Sequence, residues 1–176
     1  MLTGADDVEG LGILATLAEK KKDEARPICP IPHKLVGDEW MAWLPPPDHP
    51  HHEEFRLLEQ GYLAGEYAEQ KALRDKRQQQ TGEEVFVASF SIIEKHDKRL
   101  SYSIWSKDVL TWLPKTEFVG LFDDEPEQVD FVAWDRLQAA AGHLMTPLEC
   151  YPPRWLVDDF PSREEIEKMS PEKWVE

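Results

Sequence analysis

Between residues 5 and 24 apolar side chains recur at helical spacing. Val8, Leu11, Leu14, Leu17 and Ala18 share one stripe, which predicts a first α-helix. Asp6 or Asp7 precedes it as a cap, and Lys20-Lys21-Lys22 complements the dipole at its far end. Gly10 and Gly12 each weaken such a helix by about 1 kcal/mol relative to alanine. From 26 to 50 the periodicity disappears under prolines 27, 30, 32, 45, 46, 47 and 50. Each proline restricts itself and its predecessor, so regular secondary structure is not expected there. Ile28, Ile31, Leu35, Trp40, Met41, Trp43 and Leu44 are nonetheless embedded in this stretch, and it reads as an extended strap packed on the body of the protein.

Residues 51–80 return to a helical period with Phe55, Leu58 and Tyr62. The stripe fades after Glu69 into a charged and glutamine-rich half, read as projecting into solvent or covering a thin edge, and Thr81-Gly82 ends the helix. The pattern then switches to alternation. Phe86, Ala88, Phe90 and Ile92 predict a half-buried strand, and His96-Asp97 a turn before the next. In that strand Leu100, Tyr102 and Ile104 face one side, while Ser101, Ser103 and Trp105 face the other. Further strands are predicted near 109–113, 118–122 and 129–133, with a turn at Asp123-Asp124-Glu125-Pro126. Asp135 caps a short helix over 136–141, and 144–151 reads as an edge strand. In the tail, Ser162 followed by Glu165 is a capping-box pattern for a last helix. The expected fold class is α+β. A mainly antiparallel sheet of about five to six strands over 84–151 packs with an N-terminal helix, the long helix 51–80 and a C-terminal helix. The expected organisation is a single domain comprising helix and strap (1–50), long helix (51–82) and core with acidic end (83–176).

Composition adds two constraints. At 41% hydrophobic residues with 7 Trp in 176 positions, the chain has enough apolar surface to fold without disulfide or metal. Cys29 and Cys150 stand far apart with no CxxC or Cys/His spacing, so no zinc site is read from them, and buried free thiols are expected. Residues 1–20 lack a basic leader followed by a long apolar run, and no segment reads as a membrane span. The expected compartment is the cytoplasm, and no cofactor is called for.

Charge changes the functional picture more. The formal net charge is −15, which disfavours free nucleic acid and anionic membranes, since both recruit proteins through Lys and Arg. The imbalance concentrates at the end, where residues 123–176 carry 14 acidic and 5 basic residues. That asymmetry fits a docking face for a basic protein. The expected partner-binding residues are Trp105, Trp112 and Trp155 as apolar anchors, with Asp123, Asp124, Glu125, Asp158 and Asp159 supplying the field. On this reading the chain is a non-enzymatic bacterial or phage accessory protein of the immunity or inhibitor type, neutralising or regulating a basic partner.

Two alternatives stand beside it. The run Asp48-His49-Pro50-His51-His52-Glu53-Glu54 holds imidazoles and carboxylates, the donors of a metal site. His49, His51, His52 and Glu54 are the candidate ligands of a metal-binding protein or metal-dependent enzyme, although paired helical ligands favour i and i+4 spacing. The helix at 51–80 equally suits an arm of a structural or assembly component. Walker, dinucleotide-binding and nucleophile-elbow patterns are not found in the sequence.

Overall fold

The computed structural model describes residues 1–21, 29–82, 84–95, 97–124, 127–172 and 174. Among them the chain is α+β, with four α-helices and ten strands. In order these are α1 (Val8–Lys21), β1 (His33–Val36), β2 (Glu39–Ala42), α2 (His52–Thr81), β3 (Phe86–Val87), β4 (Ser91–Lys95), β5 (Lys98–Ser106), β6 (Thr111–Pro114), β7 (Phe118–Asp124), β8 (Glu127–Ala133), α3 (Trp134–Ala141), β9 (Met145–Leu148), β10 (Arg154–Val157) and α4 (Arg163–Lys168). Two compact units are formed, Met1–Leu63 and Ala64–Glu176. Several sequence expectations fall outside the described residues: the helix end at 22–24, the start of the strap at 26–28, His96, and Glu125-Pro126. No described helix is long and apolar enough to cross a membrane.

In the first unit Asp7, rather than Asp6, holds the start of α1. Its Oδ1 accepts from the Gly10 amide at 3.0 Å and its Oδ2 from the Thr3 hydroxyl at 2.6 Å. Gly12 is a close-approach position, since a Cβ there would lie 2.7 Å from His51 Nε2. The small core consists of Leu11, Ala15, Phe55 and Leu58, with Leu14, Ala18, Trp43 and Leu44 packed against it.

The expected strap is instead a β-hairpin over 33–42. Its prolines all lie outside that window, so β1 and β2 pair without losing a donor. Leu35 faces Trp40 and Lys34 faces Met41 across the pair. The two-residue turn Gly37-Asp38 has glycine first, at φ 63°, the arrangement of a type II′ turn that matches strand twist. Only the flank packs as expected, through Trp43 and Leu44; all eight strand residues are exposed.

The second unit contains two four-stranded sheets, ordered β3-β6-β10-β9 and β4-β5-β7-β8. Most pairs are antiparallel, but β3 with β6 and β5 with β7 run parallel, so the arrangement is not a simple meander. The single strand expected over 86–92 is divided between the sheets, β3 in one and β4 in the other. The second sheet has one face in the core: Trp105, Val119, Leu121 and Val132 meet Leu137 of α3, Ile166 of α4, and Leu113 and Val157 of the first sheet. The predicted capping box of α4 is present in full, with Ser162 and Glu165 each bonding the other's backbone amide. Asp135, by contrast, lies within the first turn of α3 and does not cap it.

The polar half of α2 does not project freely. Tyr67, Gln70, Lys71, Arg74 and Gln78 recur at helical spacing, and each has a partner in the second unit. Tyr67 donates to the Pro153 carbonyl at 2.7 Å, Gln70 to Pro152 at 2.9 Å, Lys71 to Val87 at 2.7 Å and Gln78 to Val85 at 2.7 Å. The Arg74 guanidinium lies 3.8 Å from the centroid of the Trp112 ring. This helix is therefore docked by a polar stripe, which an apolar periodicity cannot report.

At the middle of that contact is Arg154, fully buried in β10. Its Nη1 donates to the carbonyls of Ala88 and Trp112 at 2.8 and 2.9 Å. Its Nε donates to Gln70 Oε1, and the guanidinium faces the Tyr67 ring. Burial lowers its pKa to about 10, far enough above neutrality that the group stays charged. The same burial pushes the Tyr67 phenol up to about 12.

Candidate functional site

The histidine cluster does not assemble. His52 Nδ1 is 2.6 Å from the Pro45 carbonyl, His51 Nδ1 is 3.0 Å from Glu54 Oε2, and His49 Nδ1 accepts from the His51 amide at 3.1 Å. Each ring is committed to a local helix-start contact. Among the described residues no group of three His, Cys, Asp or Glu side chains converges on a point that could hold a metal ion. The expected ligands His49, His51, His52 and Glu54 therefore do not converge in this structure, and the contacts they make lie at the start of α2.

The tryptophan anchors are also relocated. Trp105 is completely buried, and so are Ser101 and Ser103 on the same face. The strand alternation was legible, but the buried side is the one bearing the serines. Ser101 is satisfied there by Glu117, whose Oε2 accepts from both its amide and its hydroxyl. Trp155 is half-buried, edge-on to Trp134 at 4.8 Å, and Trp112 lies beneath Arg74.

The expected acids separate into two settings. Asp123 points to the inner side of the sheet, into a recess of about 360 Å³ lined by Leu121, Phe160 and Ile166 together with Lys107, Gln128, Asp130 and Arg163. Lys107 pairs with Asp123 at 3.1 Å and Arg163 with Asp130 at 2.7 Å. The carboxylates hold the Lys107 and Arg163 pKa values above their usual ranges. Charges in the recess thus neutralise one another. Asp124, Asp158 and Asp159 are exposed and form no ion pair among the described residues. Asp158 and Asp159 immediately precede Phe160 of the recess. Glu125 lies outside the described residues.

The opposite, outer face of the same sheet is a feature that sequence reasoning missed. The registers place Tyr102 beside Phe118, Ile104 beside Gly120, and Gly120 beside Phe131, with Phe122 beside Val129. None of these side chains belongs to the core cluster. Gly120 is their floor: a Cβ there would lie 2.7 Å from Ile104 Cδ1 and 3.0 Å from both Phe131 Cε1 and Val129 Cγ1. Toward one end Trp174 stacks on Phe131 at 4.2 Å and meets Phe118 edge-on at 5.0 Å. At the other end Asp124 and Glu127 pair across the strands, both exposed. The face is thus an apolar ribbon with an acidic tip. Its signal in the sequence was the run Phe118-Val119-Gly120-Leu121-Phe122, apolar at both parities and therefore buried or contacted on both sides.

No protein-family model matches the chain, and neither a curated protein nor a solved structure matches it. The reading of function therefore rests on this chain's own surface.

Proposed function

We propose that this protein works by binding, docking a basic segment of a partner protein along the outer face of the β4-β5-β7-β8 sheet and so neutralising or regulating that partner, as an immunity protein or inhibitor does. The observation that carries the reading is the apolar stretch of Ile104, Phe122 and Val129 beside the part packed under Trp174, ending in Asp124 and Glu127. An apolar centre with a charged rim is the usual anatomy of a protein interface. The field favours a basic partner and disfavours nucleic acid, because of the five bases among residues 123–176 Arg154 is buried and Arg163 is paired with Asp130. A cytoplasmic setting accompanies the reading, consistent with the free thiols of Cys29 and Cys150.

The test is a pull-down with identification of the captured protein, then binding isotherms from about 50 to 500 mM NaCl. Affinity should fall steeply with salt. Asp124→Lys with Glu127→Lys should slow association, whereas Phe122→Ser should speed dissociation. A partner whose affinity ignores both salt and these substitutions removes the proposal.

A further inference from the structure

A second surface, in the first unit, has a different chemistry. Helix α1 and the β1-β2 hairpin border a groove of about 640 Å³. Leu11, Leu14, Trp43 and Phe55 line it from the core side, while Leu17, Leu35 and Trp40 remain substantially exposed to water. The hairpin explains why those side chains meet: Leu35 and Trp40 are cross-strand partners on one face, held side by side by the pairing. An isolated two-stranded hairpin is marginal in water, and an open apolar groove beside it gains from an occupant.

The charged side chains among the described residues of this groove are basic, in a protein that is acidic. In a chain of net −15, the formally charged side chains among the described residues that line it are Lys21 and Lys34, with His33 and the Cys29 thiol beside them. Lys34 Nζ sits 5.6 Å from the centroid of the Trp43 ring, placing the cation against the apolar wall. The volume falls in the range of small-molecule sites, about 300–1,000 Å³, and is small for a helix about 10 Å across with its side chains.

We propose that this groove binds a single-chain amphiphile with an anionic head, a medium- or long-chain carboxylate. The alkyl chain lies along Leu14, Leu17, Leu35 and Trp40, and the head is taken by Lys34. The surrounding negative field repels such an anion elsewhere on the surface, so Lys34 determines where the head binds. This inference is independent of the sheet face: its residues all lie in Met1–Leu63.

The test titrates the full chain calorimetrically with decanoate, decanol and decyltrimethylammonium, each below micelle formation. Decanoate should saturate one site per chain and bind about fivefold more tightly than decanol, the margin of one exposed ion pair. The trimethylammonium compound should bind more weakly than either. Lys34→Glu, an exposed substitution that leaves the core intact, should abolish the preference for decanoate while keeping decanol binding. Trp40→Ala should weaken both ligands, with circular dichroism confirming the fold. Equal affinity for the three amphiphiles, or no saturable site, overturns the proposal. So does concentration-dependent dimerisation abolished by Trp40→Glu, which makes the groove an interface between two copies.

Discussion

The two units solve the same problem with unequal means. Met1–Leu63 closes around four buried apolar side chains, Leu11, Ala15, Phe55 and Leu58, and leaves both faces of its hairpin in water. Ala64–Glu176 builds a continuous core from two sheets and two helices, and then buries a whole arginine beside it. The larger unit tolerates a buried charge because Arg154 is surrounded by backbone carbonyls and Gln70, so most of its donors keep partners. The smaller unit has no such reserve. Its order rests on close contacts at single positions, such as the His51 ring against Gly12.

The strongest way to break the contrast is Arg154→Met. Removing the guanidinium takes the donor from the Ala88 carbonyl and from Gln70 Oε1 in a buried place, and leaves the Trp112 carbonyl only the Ala88 amide. The expected loss is about 3–5 kcal/mol, read as a lowered urea midpoint. Lysine should not rescue it, since an ammonium lacks the planar fork that reaches three acceptors. Tyr67 supplies a companion measurement by ultraviolet titration. Its phenol should titrate near 12. The unfolded phenol loses its proton first, so this group's contribution to stability should fall as pH rises through the window from 10 to 12.

Next in size is Gly120→Val, which sharpens the difference between the two faces of one sheet. The new side chain has to displace Ile104, Phe131 and Val129. Overpacking of that kind costs about 1–3 kcal/mol. Because the displaced groups belong to the outer ribbon, partner affinity should fall further than stability alone explains.

A third experiment addresses the smaller unit. Gly12→Ala ordinarily strengthens a helix by about 1 kcal/mol, yet here its Cβ meets the His51 ring. The expected net effect is a destabilisation of about 1 kcal/mol, converted to a gain when His51→Ala is combined with it. A double-mutant cycle in chemical denaturation reads the coupling; additive effects would show that the ring moves aside without cost.

These positions also show what was readable beforehand. The α+β class, α1, the span of α2, most strands of the second unit and the capping box at Ser162 followed from periodicity and local chemistry, which are short-range signals. What was not readable was the identity of the buried face. In β5 the polarity of Ser101 and Ser103 pointed outward, but both are buried on the face of Trp105, Ser101 with its hydroxyl and amide bonded to Glu117. The docking stripe of α2 was hidden for a related reason: Gln70 and Lys71 bond to carbonyls distant in sequence, so their polarity marks contact instead of solvent. Arg154 carried no signal, since its acceptors are supplied by the Ala88 and Trp112 backbone and by Gln70. The hairpin at 33–42 could have been found, because its window contains no proline and has glycine at the turn. The histidine run reads two ways because a helix start attracts the same residues as a metal site.

The smallest expected effect is a pH dependence at the start of α1. The Asp7 carboxylate accepts from the Thr3 hydroxyl and the Gly10 amide, and these bonds hold its pKa below the usual value of 3.8. The unfolded carboxyl regains a proton at higher pH than the folded one. The stabilisation is therefore fully present above the unfolded value and is lost as pH falls through the folded one. Glu165 behaves in the same sense, its pKa lowered by the Ser162 hydroxyl and amide. Hydrogen exchange at acid pH should then show the first turn of α1 loosening together with the first turn of α4. Asp7→Asn should remove the pH dependence of protection from α1 alone, and an unchanged profile in that variant would assign it to another group. Because α1 borders the amphiphile groove, the same variant also tests whether the order of that wall is set by its cap or by packing on Phe55.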